Sequence, residues 1–160
     1  LNDSFKSALE SIHAALDVFA SIKASRRIIV MGDVAEPPGS QGPIYRTIGE
    51  RIATFADAAV FIGNGYRQYA PGARSAGMKA SSMMHAGRSI KKAVDILQTL
   101  LQPGDVVLLK GRDTQRLERI ALLLQGRRVQ CTVDPCRVKG RLCADCPMLE
   151  AEWQSERMTT

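Results

Sequence analysis

Polar side chains follow three apolar runs of the sequence, at points where a ligand could bind. Asp33, Asn64 and Arg112 each come directly after a glycine that closes such a run, and Lys110 ends the third run. If the runs are parallel strands, these side chains lie beyond the carboxyl edge of a sheet, where ligands of doubly wound proteins bind. The pattern predicts a site for a nucleotide or a small polar substrate. The alternative is that the glycines only form the tight turns of an α/β protein.

Sequence motifs for several familiar reactions are absent from the chain. The sequence contains no G-x-x-x-x-G-K-[ST] loop for a triphosphate, no G-x-G-x-x-G after the first strand, and no G-x-S-x-G elbow. Its two histidines are His13, within a predicted helix, and His85, after a short predicted strand. We therefore assign no catalytic residue from the sequence.

Four cysteines lie within sixteen residues near the end of the chain: Cys131, Cys136, Cys143 and Cys146. Their spacing is C-x4-C-x6-C-x2-C, and clustered thiols in a cytoplasmic protein favour a metal over disulfides. Four thiolates suit a closed, tetrahedral, structural Zn²⁺ site. An iron–sulfur cluster, two disulfides or free thiols are the alternatives, and Cys131 is the least secure ligand because it falls within a predicted strand.

Helical and strand patterns alternate along the chain and would position these residues. Apolar spacing predicts helices over residues 5–22, 43–55, 66–76, 87–101 and 117–124. Apolar runs predict strands over residues 27–32, 58–62, 78–84, 105–110 and 128–133. The alternation predicts an α/β domain with a mostly parallel sheet and helices on both faces, followed by a short Cys-rich tail.

Length and charge narrow the class of protein further. The chain has 160 residues, enough for one domain, and 22 Lys and Arg against 16 Asp and Glu give a net charge of +6. No apolar run reaches the length of a membrane helix, and no signal sequence opens the chain, so we expect a cytoplasmic protein with no membrane partner. The basic residues are scattered, and the sequence does not favour nucleic acid as a partner.

Three separated segments resemble the C-terminal domain of the Mur ligase family. Residues 27–36 resemble its R-x-x-V-x-G-D-M-x-E-L-G segment, and residues 103–111 resemble P-G-D-x-V-L-V-K-G. Ile48-Gly49-Glu50 matches its V-G-E helix, while Asp3 and Phe5, with Ser11, resemble an entry motif. The similarity is greatest to the member that adds D-alanyl-D-alanine to a muramyl tripeptide. It covers residues 1 to about 126.

The resemblance implies a Rossmann-like fold and a reaction. Such ligases join a UDP-muramyl carboxylate to the amine of an amino acid or dipeptide, with ATP and Mg²⁺ held by a central domain of the same chain. The partners implied are that domain, an N-terminal domain and the substrates. The domain itself would occupy residues 1–130 and the Cys-rich tail residues 131–160.

The resemblance also implies roles for particular residues. Asp3 and Phe5 are expected near the nucleotide. Lys110 is expected to bind an anion at the sheet edge, and Arg112 to contact a substrate carboxylate. We expect the isolated domain to be inactive without the phosphate loop. The family's K-G-S-R reads Lys110-Gly111-Arg112-Asp113 here, so a non-catalytic binding or scaffold module derived from a Mur ligase is the alternative.

Overall fold

The computed structural model describes residues 1–37 and 39–150, which form a parallel sheet between two layers of helices. The described strands are β1 (Asn2–Asp3), β2 (Arg26–Met31), β3 (Ala58–Phe61), β4 (Met83–His85) and β5 (Asp105–Lys110). The described α-helices are α1 (Leu9–Ser21), α2 (Gln41–Ala53), α3 (Tyr66–Ser75), α4 (Ile90–Leu100) and α5 (Glu118–Leu124). Single 3₁₀ turns span Ala80–Ser82, Asp113–Gln115 and Cys143–Asp145. The predicted α/β fold is confirmed.

Every pair of neighbouring strands in the described sheet is parallel, and the strand order is β1-β5-β2-β3-β4. Side chains of a strand alternate between its two faces. In β2, Ile29 and Met31 join the core formed with α1, α2 and α3, whereas Ile28 and Val30 join the core formed with α4 and α5. This explains why the strand is apolar at every central position.

Helices α2 and α3 pack against each other at two glycines. A Cβ atom at Gly49 would overlap the backbone carbonyl of Tyr69, and one at Gly72 would overlap the backbone carbonyl of Arg46. The neighbouring atoms are backbone, so a side chain could be accommodated only by moving the helices apart. Glycine at these two positions therefore sets the separation of α2 and α3.

Replacing Gly72 with alanine is expected to lower the free energy of unfolding by about 1–3 kcal/mol, because the added methyl group overpacks the helix interface. Urea unfolding followed by circular dichroism measures this. Gly42→Ala is the matched control, since Gly42 is a helical glycine of α2 and a Cβ atom added there would have nothing within 4 Å. That variant should be as stable as the parent or slightly more so. Equal stability of the two variants would contradict the role given to Gly72.

The start of the chain differs from the predicted helix over residues 5–22. Helix α1 begins only at Leu9, and its N-cap is Ala8 rather than Ser4 or Asp3. The Ser7 hydroxyl donates to the carbonyl of Asp33, and the N–H of Ala35 donates to the carbonyl of Ser7. These bonds hold the chain extended before α1, and Asn2–Asp3 adds a short strand beside β5.

The strand predicted over residues 128–133 is wrong. This part of the chain has no strand, and the N–H groups of Gln130 and Cys131 both donate to the carbonyl of Leu149. The edge of β5 that such a strand would join is already occupied by the first three residues. Leu109 donates its N–H to the carbonyl of Leu1, and the terminal amine of Leu1 donates to Val107.

The remaining boundaries shift by a few residues. The strand predicted over 78–84 is the 3₁₀ turn Ala80–Ser82 followed by β4, and the helix predicted over 87–101 begins at Ile90. Ser89 caps that helix by accepting from the N–H of Lys92. None of the helices in residues 1–37 and 39–150 combines the length and apolar character needed to cross a membrane.

Candidate substrate-binding site at the sheet edge

A polar pocket lies at the carboxyl end of the sheet, and we call it the rim pocket. Its volume is about 350 Å³. It is formed by the ends of β2, β3 and β5, by the loop before α4 and by the segment after α5. The residues that line it are Asp33, Ile62, Asn64, Arg88, Arg112, Thr114, Gln115, Asp134, Pro135 and Arg137. Three of the residues singled out in the sequence, Asp33, Asn64 and Arg112, are therefore brought together.

Asp33 joins the ends of β2 and β3. One oxygen of its carboxylate accepts hydrogen bonds from the N–H groups of Asn64 and Gly65, both at 3.0 Å. Gly63 has φ +105°, and a Cβ atom there would overlap the Asp33 carboxylate. Only glycine fits this close approach, so the glycine that closes β3 also makes room for the carboxylate.

Burial raises the pKa of the Asp33 carboxyl above its ordinary value. The hydrogen bonds from Gly65 and Asn64, and the positive charges of Arg112 and Arg88, act in the opposite direction. Desolvation therefore outweighs these favourable contacts for the charged form. A cationic group of a ligand beside Asp33 would lower this pKa and favour the charged carboxylate.

Gln115 connects the loops that follow β2, β3 and β5. Its side-chain oxygen accepts from the N–H groups of Asp33 at 2.9 Å and Arg112 at 3.2 Å. Its amide nitrogen donates to the Asp33 carboxylate at 3.2 Å and to the carbonyl of Ile62 at 3.4 Å. One side chain thus holds the three loops together. Neither a carboxylate nor an ammonium group could make the same four bonds, because each lacks either the donor or the acceptor.

The rim pocket carries charges of both signs. Arg88 pairs with Asp134 at 2.9 Å, so the loop before α4 is tied to the segment after α5. Arg112 and Arg137 line the pocket and are exposed, and neither forms an ion pair with a carboxylate in the part of the chain that the structure describes. Two guanidinium groups are thus available to a ligand anion.

The other predicted substrate- and nucleotide-binding residues lie apart from this pocket. The Lys110 side chain is fully buried, and its ammonium group lies 2.9 Å from the Asp3 carboxylate and donates to Ser11 at 2.7 Å and to the Lys6 carbonyl. Phe5 is 53% exposed and lines a separate hollow of about 100 Å³. The structure does not bring Asp3, Phe5 or Lys110 to the rim pocket.

The four cysteines line a second cavity, which we call the cysteine cavity. Its volume is about 390 Å³, and no disulfide joins Cys131, Cys136, Cys143 or Cys146. Burial raises the pKa of the Cys143 thiol to about 11. The sulfurs do not form a preassembled metal site, because no three Cys, His, Asp or Glu side chains of the described residues are grouped to hold a metal ion.

Four residues of the rim pocket with charged or amide side chains were not singled out as site residues in the sequence: Arg88, Gln115, Asp134 and Arg137. Arg88 had a signal, because Gly87-Arg88 closely follows β4 just as Gly111-Arg112 follows β5. Gln115 had none, since its role depends on loops far apart in the chain. Asp134 and Arg137 lie after the predicted last strand, and only the tertiary structure places them at the sheet edge.

Comparisons with known proteins agree with this architecture. A family model described as "Mur ligase, glutamate ligase domain" matches residues 1–112. A UDP-N-acetylmuramoyl-tripeptide–D-alanyl-D-alanine ligase from Synechocystis sp. is 30% identical over 116 residues, which are 71% of this chain and 24% of that protein. The chain therefore spans about a quarter of the length of this relative.

Two solved structures have a similar fold. MurF of Acinetobacter baumannii matches with a TM-score of 0.66 and 22% identity, and MurF ligase of Thermotoga maritima, solved in complex with ADP, matches with a TM-score of 0.60 and 19% identity. Each match covers 78% of this chain and 27% of the other. The resemblance seen in the sequence is confirmed: this chain belongs to the Mur ligase family and contains its C-terminal domain, related to that of MurF.

Proposed function

We propose that this chain acts in an ATP-dependent ligase that forms an amide bond on a UDP-muramyl peptide, and that its rim pocket holds the incoming amino acid or dipeptide. The observation that supports this most directly is the mixture of charges in the pocket. Arg112 and Arg137 suit the carboxylate of such a substrate, since guanidinium binds carboxylate through two hydrogen bonds. Asp33 and Asp134 suit its ammonium group.

The remaining chemistry would come from other parts of the enzyme. We propose that ATP and Mg²⁺ are held by a central domain, that an N-terminal domain holds the UDP-muramyl peptide, and that the protein works in the cytoplasm. Residues 1–130 would be the ligase domain and residues 131–160 an appended tail, of which 151–160 lie outside the described residues. Closure of the domain over an acyl phosphate would exclude water, which hydrolyses such intermediates. The isolated chain would then be inactive.

The test uses the complete gene product and measures release of phosphate from ATP with a UDP-muramyl tripeptide and D-alanyl-D-alanine. Arg112→Ala is expected to raise the KM for the dipeptide about 10–100-fold, the effect of losing a hydrogen bond to a charged group. The KM for ATP should change little. Arg74→Ala is the matched control, because Arg74 is exposed on α3 and does not line the rim pocket.

An unchanged KM for the dipeptide in Arg112→Ala would reject the role of the rim pocket. Absence of any amide product from the complete gene product, with a range of amino acids and dipeptides supplied, would instead favour the second candidate, a non-catalytic binding or scaffold module. The observation that favours this candidate is that Lys110 is buried within the chain and is not presented to a ligand.

A further inference from the structure

The cysteine cavity combines four thiols with a backbone that is already held in place. The N–H of Cys136 donates to the carbonyl of Thr114 at 2.8 Å, and the N–H of Cys143 donates to the Glu118 carboxylate at 2.9 Å. Cys143 and Cys146 are joined by a 3₁₀ turn in which the N–H of Cys146 donates to the carbonyl of Cys143 at 3.1 Å. C-x2-C is a common ligand spacing in structural zinc sites.

Two arginines are buried against the sulfurs. Arg116 and Arg119 are each only 3% exposed, and both line the cysteine cavity. The Nε of Arg119 lies 3.4 Å from the sulfur of Cys143, and Arg116 interacts with the sulfur of Cys136. The Nε of Arg116 has no hydrogen-bond partner among residues 1–37 and 39–150. A buried donor without a partner is costly, so the Nε of Arg116 favours negative charge on the groups that line the cysteine cavity.

Carboxylates near the cavity do not neutralise the side of the two arginines that faces the sulfurs. Arg116 pairs with Asp113 at 2.9 Å and lies 3.6 Å from Glu118 through the same terminal nitrogen, which leaves its Nε side free. Arg119 forms no ion pair with a carboxylate in the described part of the chain, and its other contact is with the carbonyl of Val133 at 2.9 Å. Positive charge therefore remains on the side of the arginines that faces the sulfurs.

We propose that Cys131, Cys136, Cys143 and Cys146 bind one Zn²⁺ ion as four thiolates. Four thiols and one Zn²⁺ give a tetrathiolate of charge −2 and release four protons. The two buried guanidinium groups offset this charge and donate N–H groups to the sulfurs, a common way of supporting a metal site. The sulfurs must move together within the cavity on binding, and its volume of about 390 Å³ leaves room for this.

The site would also shape the rim pocket. Pro135 and Arg137 line both cavities, and Asp134, which pairs with Arg88, lies between Cys131 and Cys136 in the chain. Holding the two cysteines on one ion fixes the loop between them. A structural zinc would therefore stabilise one wall of the rim pocket without taking part in a reaction.

The test is metal content of the purified chain, produced in medium with zinc and kept under reducing conditions. We expect about one zinc per chain, with the thiols protected from alkylation until a chelator is added. Replacement of the zinc by Co²⁺ should give the visible absorption of tetrahedral cobalt thiolate. These readouts do not depend on ligase activity, so their failure is distinguishable from failure of the proposed function.

Substitutions of the cysteines test whether their thiolates are the zinc ligands. Cys131→Ser and Cys146→Ser, at the two half-buried thiols, should each lower zinc affinity at least tenfold, whereas Lys139→Ala, an exposed residue of the same segment, should retain it. If a serine variant does not fold, competition of the parent chain with a chromogenic chelator still measures its zinc affinity. Four free thiols with no zinc bound, two disulfides, or iron with sulfide in place of zinc would each overturn the proposal.

Discussion

Replacing Gln115 with glutamate is expected to lower the free energy of unfolding by about 1–3 kcal/mol at neutral pH. The side-chain oxygens of the variant can still accept from the N–H groups of Asp33 and Arg112. The variant has no amide nitrogen to donate to the Asp33 carboxylate and the Ile62 carbonyl. Both of these acceptors then face a second carboxylate. Repulsion of like charges in a half-buried position adds to the loss of two hydrogen bonds.

The loss of stability caused by Gln115→Glu should be smaller at low pH than at neutral pH. The pKa of Asp33 is raised by burial, and a second carboxylate beside it raises that pKa further. The repulsion is therefore full when both carboxyl groups are ionised and decreases as the pH falls and either group takes up a proton. Urea unfolding at pH 7 and at pH 5 measures the change.

Gln98→Glu is the matched control, because it makes the same change of charge at an exposed position of α4. Its stability should stay close to that of the parent chain at both pH values. If Gln115→Glu and Gln98→Glu unfold at the same urea concentration, Gln115 does not hold the three loops together. If the proposed function holds, the Gln115 variant of the complete gene product should also lose affinity for the amine substrate, since Asp33 and Arg112 are positioned through Gln115.

Replacing Asp3 with asparagine is expected to destabilise the chain by about 2 kcal/mol. Asp3 is about half exposed, whereas the Lys110 side chain is fully buried. Removing the carboxylate leaves a buried ammonium group without its counter-ion, and breaking such a pair from the exposed side is costly. The exposure of Asp3 reduces the effect below that of a fully buried pair.

Lys110→Met should be less damaging than Asp3→Asn. Methionine fills a similar volume, and water can reach the carboxylate that is left behind. A double-mutant cycle on urea unfolding measures the coupling of the two residues, and Asp17→Asn serves as control because Asp17 is 71% exposed in its pair with Arg51. Coupling near zero would mean that Lys110 is free to serve a ligand, as the sequence suggested.

The main elements of the fold follow from local patterns. Apolar runs such as residues 27–32 and 105–110 are buried on both faces, and a strand of that kind needs helices above and below. The position of Asp33, Asn64 and Arg112 at one edge follows from the parallel direction of β2, β3 and β5. These features depend on neighbours in the chain, and the sequence was sufficient to predict them.

The failures concern contacts between distant segments. The strand expected at residues 128–133 is absent because residues 1–3 occupy the edge of β5, and no local pattern could reveal that competition. The part of the chain that carries the four cysteines likewise reaches the carboxyl edge of the sheet, where Asp134 and Arg137 lie beside Asp33 and Arg112, which follow β2 and β5.

The α/β class, the alternating order of strands and helices, the membership in the Mur ligase family and the sheet edge shared by Asp33, Asn64 and Arg112 could all be predicted from the sequence. Burial periodicity and short turns are local properties, and they encode these features directly. Which charges remain available at that edge depends instead on how distant segments of the chain pack together. Lys110 lies in β5 beside the short strand β1 and pairs with Asp3. Gln115 holds three loops together, and Arg112 is exposed. Whether a charged side chain meets a ligand or an internal partner depends on which distant segments pack around it.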